Sequence, residues 1–202
     1  CTIMVRQRTL KNSIQANGVG LHTGEKVYLT LHPSAPDTGV VFRRIDLDPV
    51  VEIPAKAENV GDTMLSTTLI KEGVRVSTVE HLLSALAGMG IDNLIIDVSA
   101  PEIPIMDGSS HLFVEAIEKV GYQDQEAVRE YLELEENIPW EDVEKGIEFM
   151  AVPDTNYRLT VMVDYHSPVL GTQHASMYTI DEFKDEIANC RTFVFLTELE
   201  NL

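Results

Sequence analysis

Cysteine, basic charge and long apolar runs are all scarce in this sequence. Its 202 residues include two cysteines, Cys1 and Cys190, neither in a CxxC pair. Two are too few for a disulfide framework, and the shortage fits a reducing compartment. Lys and Arg number 15 against 33 Asp and Glu, a formal charge of -18. A chain this acidic repels a phosphate backbone, which argues against nucleic acid as a partner. No apolar run approaches the roughly 20 residues that a membrane helix needs, so no transmembrane segment is expected. The first ten residues carry Arg6 and Arg8 with no apolar stretch behind them, unlike a signal peptide. These features together read as cytoplasmic. The sequence also lacks HExxH, GxSxG, a P-loop, paired Cys ligands, short-period repeats and low-complexity segments.

Strand and helix patterns are both present, in the mixture of an α+β protein. Lys26–His32 (KVYLTLH) alternates apolar and polar residues as a half-buried strand does. Val40–Arg44, Val74–Val76 and Ile91–Val98 also read as strands. Val79, Leu82, Leu83, Leu86 and Ala87 fall on one helical face, with Ser77 and Glu80 spaced as a capping box and Gly88 and Gly90 as the stop. A second helix runs through Leu112, Phe113, Ala116, Ile117 and Val120 to Gly121. From Asp124 to Glu148 ten acidic residues face two basic ones, and the composition shift places a boundary near 123–128. The expected domains are therefore residues 1–125 and 126–202. In the second, Leu132/Leu134, Ile147/Phe149, Leu159/Val161/Val163 and Ala175/Met177 alternate as strands. Thr179 and Glu182 suggest another capping box for a third helix through Phe183, Ile187 and Cys190, and Thr192–Phe195 reads as the start of a strand.

Two motifs could carry chemistry. On a helical wheel with the apolar face near 60°, Glu80 falls at roughly 160° and His81 at roughly 260°, so His81 is not a core histidine. One reading is a helix cap beside an exposed imidazole; the other is a metal ligand beside a carboxylate base. Gly18, Gly20 and Gly24 (GVGLHTG) read as a tight hairpin turn or as a close approach of backbone to a ligand. Asp107-Gly108-Ser109-Ser110 reads as a turn and helix cap. His32, His111, His166 and His174 are scattered and read as ordinary histidines.

Five strings, in order, resemble one family: GVGLHTG at 18–24, DTML at 62–65, STVEHLLSALAGMGIDN at 77–93, APEIPIMDGSS at 100–110 and RTFVF at 191–195. They are similar to the UDP-3-O-acyl-N-acetylglucosamine deacetylases, zinc hydrolases that remove the N-acetyl group in the committed step of lipid A biosynthesis in Gram-negative bacteria. The resemblance implies two similar domains, each a β-sheet layered with helices, with the site between them and the second incomplete in this chain. It implies that His81 is a Zn²⁺ ligand, that Glu80 activates water and that Thr192 lies beside the oxyanion. Leu21, His22, Met64, Leu65, Phe193 and Phe195 match substrate-lining positions for a UDP-linked acylated glucosamine. In the family the other two zinc ligands, a His and an Asp, and a further catalytic His follow the RTF segment. They are expected beyond Leu202, so the chain alone is expected to be inactive. Some relatives carry a fused β-hydroxyacyl dehydratase downstream, a further domain the resemblance allows. The alternative is a non-catalytic fragment that binds a glycolipid or a protein partner.

Overall fold

A strand inside a sheet whose faces are covered can bury nearly its whole length, and Leu94–Val98 (LIIDV) has the apolar content for that. In the computed structural model, which describes residues 4–201, this segment is the middle strand of a five-stranded sheet. Cys1 and Leu202 lie outside the described residues. The chain divides into two compact units, residues 1–129 with 184–202 and residues 130–183.

The first unit begins with β1 (Arg6–Leu10), β2 (Ile14–Gln15), β3 (Gly18–Val19), β4 (Lys26–Val27) and β5 (Leu29–Pro33). It continues through β6 (Val40–Arg44), β7 (Val51–Pro54), β8 (Val60–Asp62), β9 (Thr68–Lys71) and β10 (Val74–Ser77). Then come α1 (Glu80–Gly88), β11 (Leu94–Val98), α2 (His111–Val120) and β12 (Tyr122–Val128). The main sheet runs β2-β5-β11-β6-β7, with β11 antiparallel to β5 and parallel to β6. Leu29, Leu31, Phe42, Leu94, Ile96 and Val98 are at most 2% exposed. Half-exposed Thr30, His32, Arg43 and Ile95 alternate with them. Leu82 and Leu86 of α1 and Phe113, Val114 and Ile117 of α2 complete this core. Each such side chain contributes about 1.5–3 kcal/mol through removal from water.

Several local expectations need correction. Lys26–His32 is two strands, because Tyr28 donates its N–H to the Ser99 hydroxyl at 2.8 Å. The buried face of α1 includes Ala85, while Ala87 is exposed. The Ser77–Glu80 capping box is not formed. Ser77 ends β10 and its hydroxyl donates to the Pro101 carbonyl, while the Glu80 carboxylate accepts the Thr67 N–H. A tertiary partner takes the place of the local cap. Strand β12 gave no alternating signal, yet it pairs antiparallel with β1, supported by Arg6–Glu126 and Arg8–Asp124 ion pairs.

The second unit contains β13 (Ile138–Asp142), β14 (Ile147–Ala151), β15 (Leu159–Asp164) and β16 (Thr172–Met177). They form two separate antiparallel hairpins, β13-β14 and β15-β16. Leu132/Leu134 is not a strand. Leu132 is 93% exposed, and Glu130, Glu133, Glu135 and Glu136 keep the segment solvated. Thr179 makes no side-chain cap; the Glu182 carboxylate instead accepts the Tyr178 N–H. The third helix is only α3 (Phe183–Glu186), and the strand expected over Thr192–Phe195 is irregular, followed by α4 (Leu196–Leu199). In a longer helix the Ala188 carbonyl would accept from Thr192. Here it accepts from the Ser110 N–H, and Thr192 donates to the Gly108 carbonyl. Among the described residues no helix is long and apolar enough to cross a membrane. The mixture of sheets and helices is α+β, as the sequence indicates.

Candidate active site

The first turn of α1 carries Glu80 and His81. Thr78, just before it, has φ +59 and is 2% exposed. A β-branched residue in the left-handed region is strained by about 1–3 kcal/mol. Bonds on both sides hold it there: Ser77 N–H to the Pro101 carbonyl, Ile103 N–H to the Ser77 carbonyl, and Val79 N–H to the Thr67 carbonyl. This kink turns the chain from β10 directly into Glu80 and His81, both half-buried.

Three loops are tied to that turn. The first is 62–67. Its Thr67 N–H reaches the Glu80 carboxylate at 3.1 Å. At its other end the Asp62 carboxylate accepts the Met64 N–H at 2.9 Å and pairs with Arg75 at 3.3 Å. The Met64 bond, with Arg75 adding to it, holds the Asp62 pKa below the usual range. Met64 is 78% and Leu65 64% exposed, and Leu65 has φ +62. The loop thus presents two apolar side chains to solvent.

The second loop is 18–24, between β3 and β4. Glu102 is 1% exposed, and its carboxylate accepts the His22 N–H at 3.2 Å, the Thr23 N–H at 2.9 Å and the Thr23 hydroxyl at 2.7 Å. A Cβ on Gly20 would overlap that carboxylate, so glycine is required by space. Glu102 also bridges in parallel with Ser77, which carries the loop's position to the start of α1. Leu21 and His22 are exposed at the tip.

The third is 188–192. The Ser110 hydroxyl donates to the His81 carbonyl at 2.8 Å, the Ser110 N–H to the Ala188 carbonyl and the Thr192 N–H to the Gly108 carbonyl. Asp107 steadies the intervening turn through the Ser109 N–H and hydroxyl. Burial pushes its pKa up, but those bonds and the charge of Arg191 outweigh it and hold it low. Thr192 and Phe193 are exposed, and the Phe193 and Phe195 rings lie edge to face, 5.7 Å apart.

Glu102 is the residue that pattern reading missed. The available signal was a lone carboxylate inside the apolar string APEIPIM, since a buried charge must find donors. The remaining histidines lie elsewhere. His32 sits between Asp97 and Ser13, His111 pairs with Glu115, and His166 is 87% exposed at its side chain. Among the described residues no three of His, Cys, Asp and Glu come together in a group able to hold a metal ion. A catalytic zinc takes three protein ligands, so His81 alone does not fit a complete site.

A family model for UDP-3-O-acyl N-acetylglycosamine deacetylase matches residues 7–202. The chain belongs to that family. It is 53% identical to the UDP-3-O-acyl-N-acetylglucosamine deacetylase of Saccharophagus degradans over 203 residues, covering 98% of this chain and 66% of the relative. The enzymes of the same name from Methylococcus capsulatus and Marinobacter nauticus are 52% and 50% identical at the same coverage. The chain therefore spans 66% of the length of the curated deacetylases it matches. The likeness seen in five short strings extends over nearly the whole chain.

Proposed function

We propose that this chain supplies one side of the active centre of a zinc-dependent UDP-3-O-acyl-N-acetylglucosamine deacetylase, a cytoplasmic hydrolase of lipid A biosynthesis. The observation that carries this reading is 50–53% identity to enzymes of that name across 98% of the chain. Residues 1–125 are then the first of two similar domains and residues 126–202 the beginning of the second. Hydrolysis of the N-acetyl amide adds water to the acetyl carbon, breaks the C–N bond and leaves acetate and a free amine. Glu80 takes the proton of the attacking water, a role worth about 10²–10⁴-fold. The Thr67 N–H orients its carboxylate for that role. The Thr192 hydroxyl donates to the developing oxyanion, a contact worth about 2.7–4 kcal/mol. Leu21, His22, Met64 and Leu65 contact the UDP-linked acylated glucosamine, and Phe193 and Phe195 flank its acyl chain. His81 is one Zn²⁺ ligand, and the remaining two are expected beyond Leu202.

The test compares residues 1–202 with the polypeptide that spans the relatives' full length. Zinc is measured by atomic absorption after dialysis, and acetate release is measured from the UDP-sugar. The full-length form is expected to hold about one zinc and to turn over, since catalytic zinc needs its closed ligand set. His81→Ala in it is expected to lose both. Residues 1–202 alone are expected to do neither. Retained stoichiometric zinc in His81→Ala, or turnover by residues 1–202, contradicts the assignment. A second reading, a non-catalytic module that binds a partner, draws on Trp140, Phe149 and Met162, which are 54%, 66% and 72% exposed. Absence of acetate release by the full-length form favours it.

A further inference from the structure

We infer that Glu102 is a positioning residue for the substrate-facing loop 18–24, referencing Leu21 and His22 to Ser77, three residues before Glu80. The inference rests on the deacetylase reading above. A carboxylate that is 1% exposed is costly unless donors replace its lost water. Glu102 has three such donors from residues 22 and 23, and among the described residues no cation pairs with it. Both oxygens are used: one takes the His22 N–H, the other the Thr23 N–H and hydroxyl. All three donors come from the tip of one loop, so the buried charge fixes that tip. Gly20 closes the arrangement, since any side chain there would displace the carboxylate.

The other end of the device is equally fixed. Glu102 bridges to Ser77, and the neighbouring Pro101 and Ile103 bond to the Ser77 backbone on either side. Ser77 is three residues from Glu80. A displacement of the 18–24 loop is thus referenced to the same strand end that aims the general base. Charge-assisted bonds of this kind are roughly twice as strong as neutral ones. Glu102 itself touches no reacting atom; it acts through His22 and Leu21.

Glu102→Gln tests the inference. An amide can serve only one of the two donor sets, because its NH₂ must face N–H or O–H donors on the other side. In residues 1–202, whose first unit has its own core, amide exchange at His22 and Thr23 is expected to speed up about 10-fold or more, while β11 stays protected. In the full-length polypeptide, KM for the UDP-sugar is expected to rise about 10-fold with kcat within about threefold. Thr23→Val, at an exposed position, removes one of the three bonds and is expected to shift both readouts in the same direction but less. If His22 and Thr23 keep wild-type exchange in a folded Glu102→Gln protein, the anchoring is wrong. If exchange rises but KM does not, the loop is anchored without serving the substrate, and the positioning role is overturned. Failure of the wild-type full-length form to release acetate counts instead against the deacetylase reading, and the exchange measurement still decides the anchoring.

Discussion

Strands β5 and β15 carry nearly the same alternating pattern and end in different environments. In β5, Leu29 and Leu31 are 0% and 2% exposed. In β15, Leu159, Val161 and Val163 are 41%, 49% and 39% exposed. The difference lies in what each strand pairs and packs with. β5 sits beside β11 in a five-stranded sheet whose unit also contributes α1 and α2 to the core. β15 has one partner, β16, within a unit of two hairpins. An alternating sequence specifies a strand, but a second layer creates the burial. The candidate site follows the same division: Glu80, His81, Glu102 and the Thr192 segment all belong to the unit with the layered core.

The contrast is broken most readily by removing large side chains. Phe42→Ala in β6 should cost about 3–5 kcal/mol, because Phe42 is 0% exposed and its loss leaves a cavity. Phe149→Ala in β14, where the ring is 66% exposed against Trp140, should cost less than about 1.5 kcal/mol. Urea unfolding of both variants makes the comparison; equal costs would mean that Phe149 is packed as tightly as Phe42 and would remove the contrast.

Glycines give a smaller and sharper version. Gly20→Ala should destabilise by about 1–3 kcal/mol, since its Cβ overlaps Glu102. Gly146→Ala, in the β13-β14 turn with open space around it and φ +65, should cost only the left-handed backbone term of about 1–2 kcal/mol. Melting temperatures order the two, and only Gly20→Ala should also disturb the amide of His22.

The smallest effect is on acid stability. The Arg44 guanidinium beside Asp46 holds that carboxyl below its usual pKa, against a raising effect of burial. A lowered folded pKa means stability that is present above the unfolded value, about 3.9, and lost as pH falls through the folded one. Asp46→Asn should therefore weaken the first unit at neutral pH and flatten its decline below about pH 4. An unchanged acid profile would mean that the Arg44–Asp46 pair contributes nothing to stability.

Much of the fold was legible where a residue's neighbours along the chain decide its state. The Val40–Arg44 strand and the helix from Leu112 to Gly121 follow from local pattern and are found as β6 and α2. What the pattern could not show depends on distant partners. The β12 segment (YQDQEAV) is a strand because distant β1 supplies its ladder, while the Gln125 side chain accepts from Asn93 and donates to the Ser34 carbonyl. Thr192–Phe195 is not one: the Thr192 N–H goes to the Gly108 carbonyl, and among the described residues no strand pairs with the segment. For the site, Glu80 and His81 stood out by their place off the apolar face. Glu102 did not, since its donors lie some eighty residues away, at His22 and Thr23.

In the proposed deacetylase, the Glu80 carboxylate, held by the Thr67 N–H beside the Thr78 kink, is the general base. Glu80→Gln in the full-length polypeptide tests this role most directly, with kcat for acetate release and bound zinc measured on the same preparation. The amide keeps an acceptor for Thr67 but takes no proton, so kcat should fall by about 10²–10⁴-fold with zinc retained. Turnover near that of the wild type would reduce Glu80 to a tether for the 62–67 loop and contradict its role as the base.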